Sequence, residues 1–248
     1  MGKSYQTTYE IPFYETDVNH CAKLPHLLSV ALQVSGMQSQ ALGMSDSYVL
    51  DTYGLVWVIT DYDMVIERLP MFAETITIET QATAYNKLFC YRDFTIYGQD
   101  GEKIMTIVAT FVLIDFTTRK VSPIPEAIVT VYEPEFVKKV RRGPKYPVLD
   151  DAEATNYHVR YFDLDMNGHV NNSKYLEWIY DVLPLSFLQS HHPKHISLKY
   201  VKEIYYGHDI VSEVLLEEST SRHQIRTDGQ LNAQAIIEWQ PVRKRGVA

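Results

Sequence analysis

The stretch Asp163-Leu164-Asp165-Met166-Asn167-Gly168-His169-Val170-Asn171-Asn172 sets carboxylates, carboxamides and an imidazole into one short loop. An altered copy stands near the start of the chain as Tyr14-Glu15-Thr16-Asp17-Val18-Asn19-His20-Cys21. Ungapped alignment pairs Asp17 with Asp165 and Asn19 with Asn167, and sets Cys21 where His169 stands. Further matches follow in the same order, the pattern of an old duplication whose loops have drifted. Tyr9, Ile11 and Phe13 correspond to Tyr157, Val159 and Tyr161, alternating segments that read as half-buried strands running into the two loops.

Beyond the first loop, residues 26–42 carry Leu27, Leu28, Ala31, Leu32 and Val34 at helical spacing, with Gly43 placed as a stop. Beyond the second, Asn171 or Asn172 caps a helix with the apolar face Tyr175, Leu176, Ile179, Val182 and Leu183, ended by Pro184. Strands follow in both halves. Met64-Val65-Ile66-Glu67-Arg68-Leu69 aligns with Leu198-Lys199-Tyr200-Val201-Lys202-Glu203, so that Leu69 stands opposite Glu203. Glu74-Thr75-Ile76-Thr77-Ile78-Glu79 and His208-Asp209-Ile210-Val211-Ser212-Glu213 keep that register, and Asp100-Gly101 and Asp228-Gly229 supply matching hairpin turns.

A long helix followed by antiparallel strands, twice over, predicts an α+β protein with a double (tandem) hotdog fold: two antiparallel sheets, each wrapped around a long helix. Residues 134–147 are proline-bearing and basic and read as a surface connector. The boundary falls near residue 145, giving an N-terminal repeat over 1–145 and a C-terminal repeat over 146–248.

Composition excludes several classes. At 46% hydrophobic residues, with eighteen tyrosines, the 248-residue chain is neither disordered nor fibrous. No apolar run reaches the roughly 20 residues that span a bilayer, and no apolar signal core follows Met1, so a cytoplasmic protein is expected. Cys21 and Cys90 make no disulfide framework. A net charge of −8 argues against general nucleic-acid binding, which rests on Lys and Arg neutralising phosphates. Local basic patches remain at Lys138, Lys139, Arg141, Arg142 and Lys145, and at Arg243, Lys244 and Arg245.

The run from Asp165 to Tyr175 with Trp178 behind it, together with Gly54-Leu55-Val56-Trp57-Val58-Ile59-Thr60 and the segment from Leu198 to Glu203, resembles the acyl-acyl-carrier-protein thioesterases of plants and bacteria. That resemblance covers most of the chain. It implies a tandem hotdog hydrolase that releases fatty acid from acyl carrier protein (ACP), with the chemistry in the second repeat. It puts Asp165, Asn167, His169 and Glu203 at the family's catalytic positions. Plant members carry a cysteine directly after that glutamate; here the residue is Ile204, so a covalent cysteine mechanism at that position is closed.

Thioester hydrolysis needs a base for water and help for the oxyanion. Glu203 and Asp165 are both candidate bases, His169 a polarising or proton-shuttling group, and Asn167 a positioning amide. Asp165 is also placed to orient the imidazole. The backbone N–H groups of Val170 and Asn171 are candidate oxyanion donors at the helix start. As an isolated match, Asp165, Asn167 and Asn171 would read as turn and cap residues. In the first half, Cys21 and Leu69 replace the imidazole and the carboxylate, which leaves Asp17 and Asn19 as structural remnants and frees that half to hold the acyl chain. Leu28, Leu32, Trp57 and Val58 are the candidate pocket wall, with ordinary core packing as the alternative.

Because ACP is acidic, Lys138, Lys139, Arg141 and Arg142 are candidate docking residues, with a solvated linker as the alternative. His191, His192 and His195 lack accompanying carboxylate or cysteine spacing and read as a surface loop rather than a metal site. Neither metal nor organic cofactor is expected, and a monomer and a homodimer are both compatible with two repeats in one chain. The rival readings are a hotdog acyl-coenzyme A hydrolase, a hotdog dehydratase and a non-catalytic acyl-binding sensor.

Overall fold

A computed structural model describes residues 2–242, so the basic trio Arg243, Lys244 and Arg245 lies outside the described residues. The first half runs β1 (Ser4–Glu10), α1 (Leu24–Ala41), α2 (Asp46–Tyr53), β2 (Leu55–Ile66), β3 (Thr75–Tyr85), β4 (Phe89–Tyr97), β5 (Lys103–Asp115), β6 (Val121–Ser122), α3 (Glu126–Val129) and β7 (Glu135–Phe136). The second runs β8 (Glu153–His158), α4 (Asn172–Asp181), α5 (Leu185–Ser190), β9 (His191–Tyr200), β10 (Asp209–Glu217), β11 (Thr220–Thr227) and β12 (Gln230–Pro241).

The strands form one continuous sheet in the order β1-β3-β4-β5-β2-β9-β12-β11-β10-β8, with β6 and β7 as side branches. This corrects the expectation of two separate sheets. The halves join edge to edge because β2 pairs antiparallel with β9, from Asp61 opposite Lys199 to Val65 opposite His195. Joining there removes one of the two edges each half would otherwise present, leaving β1 and β8 as the outer edges. Strand order on one side of the seam mirrors that on the other, each strand lying as far from the seam as its counterpart.

Backbone detail repeats as well. The Cys21–Met71 bridge is matched by His169–Tyr205, and Thr16–Ala22 by Leu164–Val170. Gly168 sits at φ 80°, and its counterpart His20 holds the same left-handed conformation at φ 61°. A histidine there accepts strain that glycine avoids, so the loop geometry belongs to both halves and only the side chains have diverged.

Helix α1 begins two residues earlier than expected, since Pro25 in the first turn sacrifices an N–H that has no helical acceptor anyway. Its face of Leu24, Leu27, Leu28, Ala31 and Val34 is buried, as are Tyr175, Leu176, Trp178 and Ile179 of α4, and all join one core. Pro184 does not close the second helical region: α4 ends at Asp181, and the proline stands at the head of α5. Two further expectations change. Phe13 and Tyr161 belong to short 3-10 turns and are exposed rather than in strands. Asp228-Gly229 forms a two-residue hairpin turn, both residues at positive φ, whereas Asp100-Gly101 lies in a longer loop closed from Gly98 to Glu102. The histidine trio is in strand β9, where His195 Nε2 meets Asp63 Oδ1 across the seam at 2.7 Å.

Burial also sets an acid limit to stability. His223 is 1% exposed, with Nε2 2.7 Å from Ser221 Oγ and Nδ1 without a partner. Desolvation pushes its imidazole from 6.5 down to about 3. The unfolded chain therefore takes up this proton near pH 6.5 and the folded chain only near pH 3, so the contribution of His223 to stability is constant above that window and is lost as pH falls through it. Urea midpoints at pH 7 and 4.5 are expected to differ in the native chain and to converge in His223→Gln. An unchanged pH gap in the variant would assign the acid sensitivity elsewhere.

Candidate active site

The loop over residues 163–171 is held by its own carboxylates. Asp163, 1% exposed, accepts the Arg160 N–H and lies 3.3 Å from Lys174 Nζ. Its burial alone would raise the carboxyl; the Arg160 N–H and the Lys174 ammonium outweigh that and hold it below its ordinary value. Asp165 Oδ1 accepts the backbone N–H groups of Asn167 at 2.8 Å and His169 at 3.4 Å. In the first half Asp17 Oδ1 accepts Asn19 and Cys21 at 2.9 and 3.0 Å. The same carboxylate thus shapes the same turn whether or not an imidazole follows.

The asparagines differ. Asn19 Nδ2 donates to the Leu188 carbonyl at 3.2 Å and is tied into the other half. Asn167 is exposed and lines a large cavity. Where the first half sets Cys21 Sγ 3.5 Å from Met71 Sδ, the second sets the His169 ring 5.1 Å from the ring of Tyr205. His169 Nε2 lies 3.5 Å from Glu203 Oε2, which also faces the Tyr205 hydroxyl at 3.5 Å. His169 and Glu203, far apart in sequence, are brought together because the loop backbone is tied to the segment after β9: Val170 N–H donates to the Ile204 carbonyl at 2.9 Å.

That bond removes one expected role. The Val170 N–H is spent on Ile204, and the Asn171 N–H donates to the Asp163 carbonyl at 2.8 Å, so neither is available to an oxyanion. Asn171 instead caps α4, its Oδ1 accepting Ser173 N–H at 2.9 Å. Asn172, first residue of α4, lines the cavity, and first-turn N–H groups have no acceptor within their own helix. Asn172 and the Asn167 carboxamide replace Val170 and Asn171 as candidate donors.

The cavity measures about 670 Å³, within the usual range for small-molecule sites. Asp165, Asn167, His169, Val170 and Glu203 contribute to its wall from the second half; Leu32, Val56, Trp57, Val58, Ile59 and Phe111 contribute from the first. Leu28, expected in that wall, is instead fully buried, because its side chain packs into the hydrophobic core that α1 shares with α4 and the strands. Leu69, opposite Glu203 in the alignment, packs against the same core. Cys90 also lines the cavity, and burial pushes its thiol up to about 12, which leaves it protonated and a poor nucleophile.

Lys138, Lys139, Arg141 and Arg142 are exposed and do not line the cavity. They lie on a strap across the sheet: the Arg141 N–H donates to the Tyr91 hydroxyl at 3.0 Å, its guanidinium sits 4.5 Å from that ring's centre, and the Pro147 carbonyl accepts from Gln224 Nε2. Two residues at the site carried no readable sequence signal. Tyr205 stands against His169, and Arg119, from the turn after β5, forms an ion pair with Glu203. Both depend on contacts between segments too distant in sequence for local spacing to reveal. Among the described residues, no group of three or more His, Cys, Asp or Glu side chains is placed to hold a metal ion, and no helix is long and apolar enough to cross a membrane.

Comparison with known proteins places this geometry. Residues 2–132 match the acyl-ACP thioesterase N-terminal domain and residues 146–241 match its C-terminal domain. A Lactobacillus plantarum crystal structure described as an oleoyl thioesterase is 33% identical, covers 98% of each chain and superposes with a TM-score of 0.92. The 12:0-ACP thioesterase of Umbellularia californica, at 24% identity, 96% of this chain, 98% of that chain and a TM-score of 0.86, shares the fold. The palmitoyl-ACP thioesterase of Gossypium hirsutum is 28% identical over 235 residues, which cover 90% of this chain and 53% of that protein. The chain thus spans about half the length of that curated relative. With both domain profiles matched in order along one chain, this protein belongs to the acyl-ACP thioesterase family.

Proposed function

We propose that the protein hydrolyses fatty acyl-ACP to free fatty acid and carrier protein, using Glu203 and His169 of the second half on a chain held by the first. The observation that carries this is their 3.5 Å approach on the wall of a cavity to which the first half contributes the apolar side chains Leu32, Val56, Trp57, Val58, Ile59 and Phe111. Glu203 takes a proton from water, which attacks the thioester carbon; Asn167 and the start of α4 receive the oxyanion. On collapse the carbon–sulfur bond breaks and the phosphopantetheine sulfur leaves, protonated through His169. Asp165 acts as the residue that shapes the loop. The mirrored strand order and the repeated loop support a tandem hotdog, with repeats over 1–145 and 146–248.

The carrier is tested by offering the same acyl chain on ACP and on coenzyme A. Higher kcat/KM on ACP is expected; equal or greater turnover of the coenzyme A ester would make the protein a general acyl thioesterase. For docking we assign Lys138, Lys139, Arg141 and Arg142, whose exposed charges fit an acidic partner. Lys138→Glu with Lys139→Glu is expected to raise KM for acyl-ACP several-fold, about the scale of rim charges, with kcat kept and the coenzyme A ester unaffected. A salt-independent KM would place docking elsewhere.

A further inference from the structure

The carboxylate proposed as the base is gripped by a residue of the opposite half. Arg119 Nη2 bonds Glu203 Oε1, the two side chains being 32% and 31% exposed and lining the same cavity. The other oxygen, Oε2, is the one that faces His169 and Tyr205. The two oxygens of Glu203 therefore have separate assignments, one anchored and one directed at the reaction atoms. Besides His169, no other basic side chain among the described residues pairs with it.

The turn that presents Arg119 is built for that placement. Asp115 Oδ1 accepts the backbone N–H groups of Thr117 at 3.1 Å and Thr118 at 2.6 Å. The Thr118 N–H, followed by its hydroxyl, holds the Asp115 carboxyl below its ordinary value. The Arg119 N–H donates to the Asp115 carbonyl at 2.9 Å, and Arg119 itself sits at φ 57°, a left-handed conformation that residues with a Cβ rarely adopt. A non-glycine residue kept there is over-determined by its surroundings, as happens where side-chain direction matters.

We propose that Arg119 is a positioning residue for Glu203, by which the half that carries Cys21 and Leu69 in place of His169 and Glu203 fixes the base of the other half. This rests on the reading of Glu203 as the base. A glutamate carries several rotatable bonds, and a partly exposed one loses its orientation unless it is tied down. Displacement of a reacting group by about 1 Å costs up to about 10²-fold in rate. The guanidinium fork holds the carboxylate in one geometry through a charge-assisted bond, which a single ammonium reproduces only in part.

The test is steady-state hydrolysis of acyl-ACP by Arg119→Gln, Arg119→Lys, Glu203→Gln and the Arg119→Gln/Glu203→Gln double variant. Positioning predicts that Arg119→Gln lowers kcat about tenfold with KM kept within about twofold, and that lysine restores much of the loss. In the Glu203→Gln background the same change is expected to cost no more than about twofold, because the group it positions is gone. A kcat for Arg119→Gln near that of the native chain, a loss confined to KM, or the full tenfold loss repeated in the double variant would each overturn the proposal. Native activity in Glu203→Gln would instead overturn the assignment of the base, so the two failures are told apart.

Discussion

Glu203→Gln and His169→Ala are each expected to lower kcat for acyl-ACP by about 10²-fold or more, the scale on which general acid–base groups act. Glutamine keeps the size and hydrogen-bonding reach of Glu203 but cannot take a proton from water. Alanine at His169 removes the only imidazole on the cavity wall among the described residues. Since Glu203 Oε2 and His169 Nε2 stand 3.5 Å apart and serve one proton path, the double variant is expected to lose little more than either single variant. KM is expected to move little, because neither group holds the acyl chain. Native-like rates in both single variants would move the chemistry out of this loop.

The second large effect concerns chain length. Gly36, exposed on α1, edges the cavity, and a Cβ added there meets nothing within 4 Å. Gly36→Leu places a branched side chain in that space while favouring the helix by about 0.8–1 kcal/mol over glycine, so folding is expected to be kept. Each acyl methylene denied burial forfeits about 0.8 kcal/mol, about fourfold in binding. Excluding three methylenes then costs about 2.4 kcal/mol, or roughly 50-fold. Hydrolysis profiles over ACP esters of graded length should show kcat/KM falling by tens of fold for chains that reach Gly36 and unchanged for shorter ones. The same profile in native and Gly36→Leu enzyme would mean that the acyl chain lies elsewhere.

The duplication was legible because backbone-shaping residues persist: Asp17 and Asp165 cap equivalent turns, and the Cys21–Met71 and His169–Tyr205 bridges occupy equivalent places. In the sequence, Cys21 and Leu69 stand where His169 and Glu203 stand in the other copy, and that difference is the basis on which those two residues are proposed as the reacting pair. What local patterning could not carry was partnership across the fold. Periodicity marks Leu28 and Leu32 alike as apolar positions on one face of α1, yet Leu28 is sealed in the core while Leu32, one turn further along, reaches the cavity, a difference of position along the axis that only packing decides. The N–H groups of Val170 and Asn171 looked available at a helix start, but the tertiary bonds to Ile204 and Asp163 use them. The joining of two sheets through β2 and β9 is a choice between edges, and alternation along a strand says which face is buried without naming the neighbour. Arg119 was hidden for the same reason, since its partner is 84 residues away.

The most direct test is a rapid-quench single turnover of acyl-ACP by the native enzyme, reading free fatty acid, carrier thiol and the intact mass of the enzyme at each time. Attack by a water activated at Glu203 predicts that acid and thiol appear together and in equal amounts, with the enzyme mass unchanged throughout. Thiol released ahead of acid, with an acyl-sized mass gain on the protein, would contradict the account, as would bound acyl-ACP from which neither product is released.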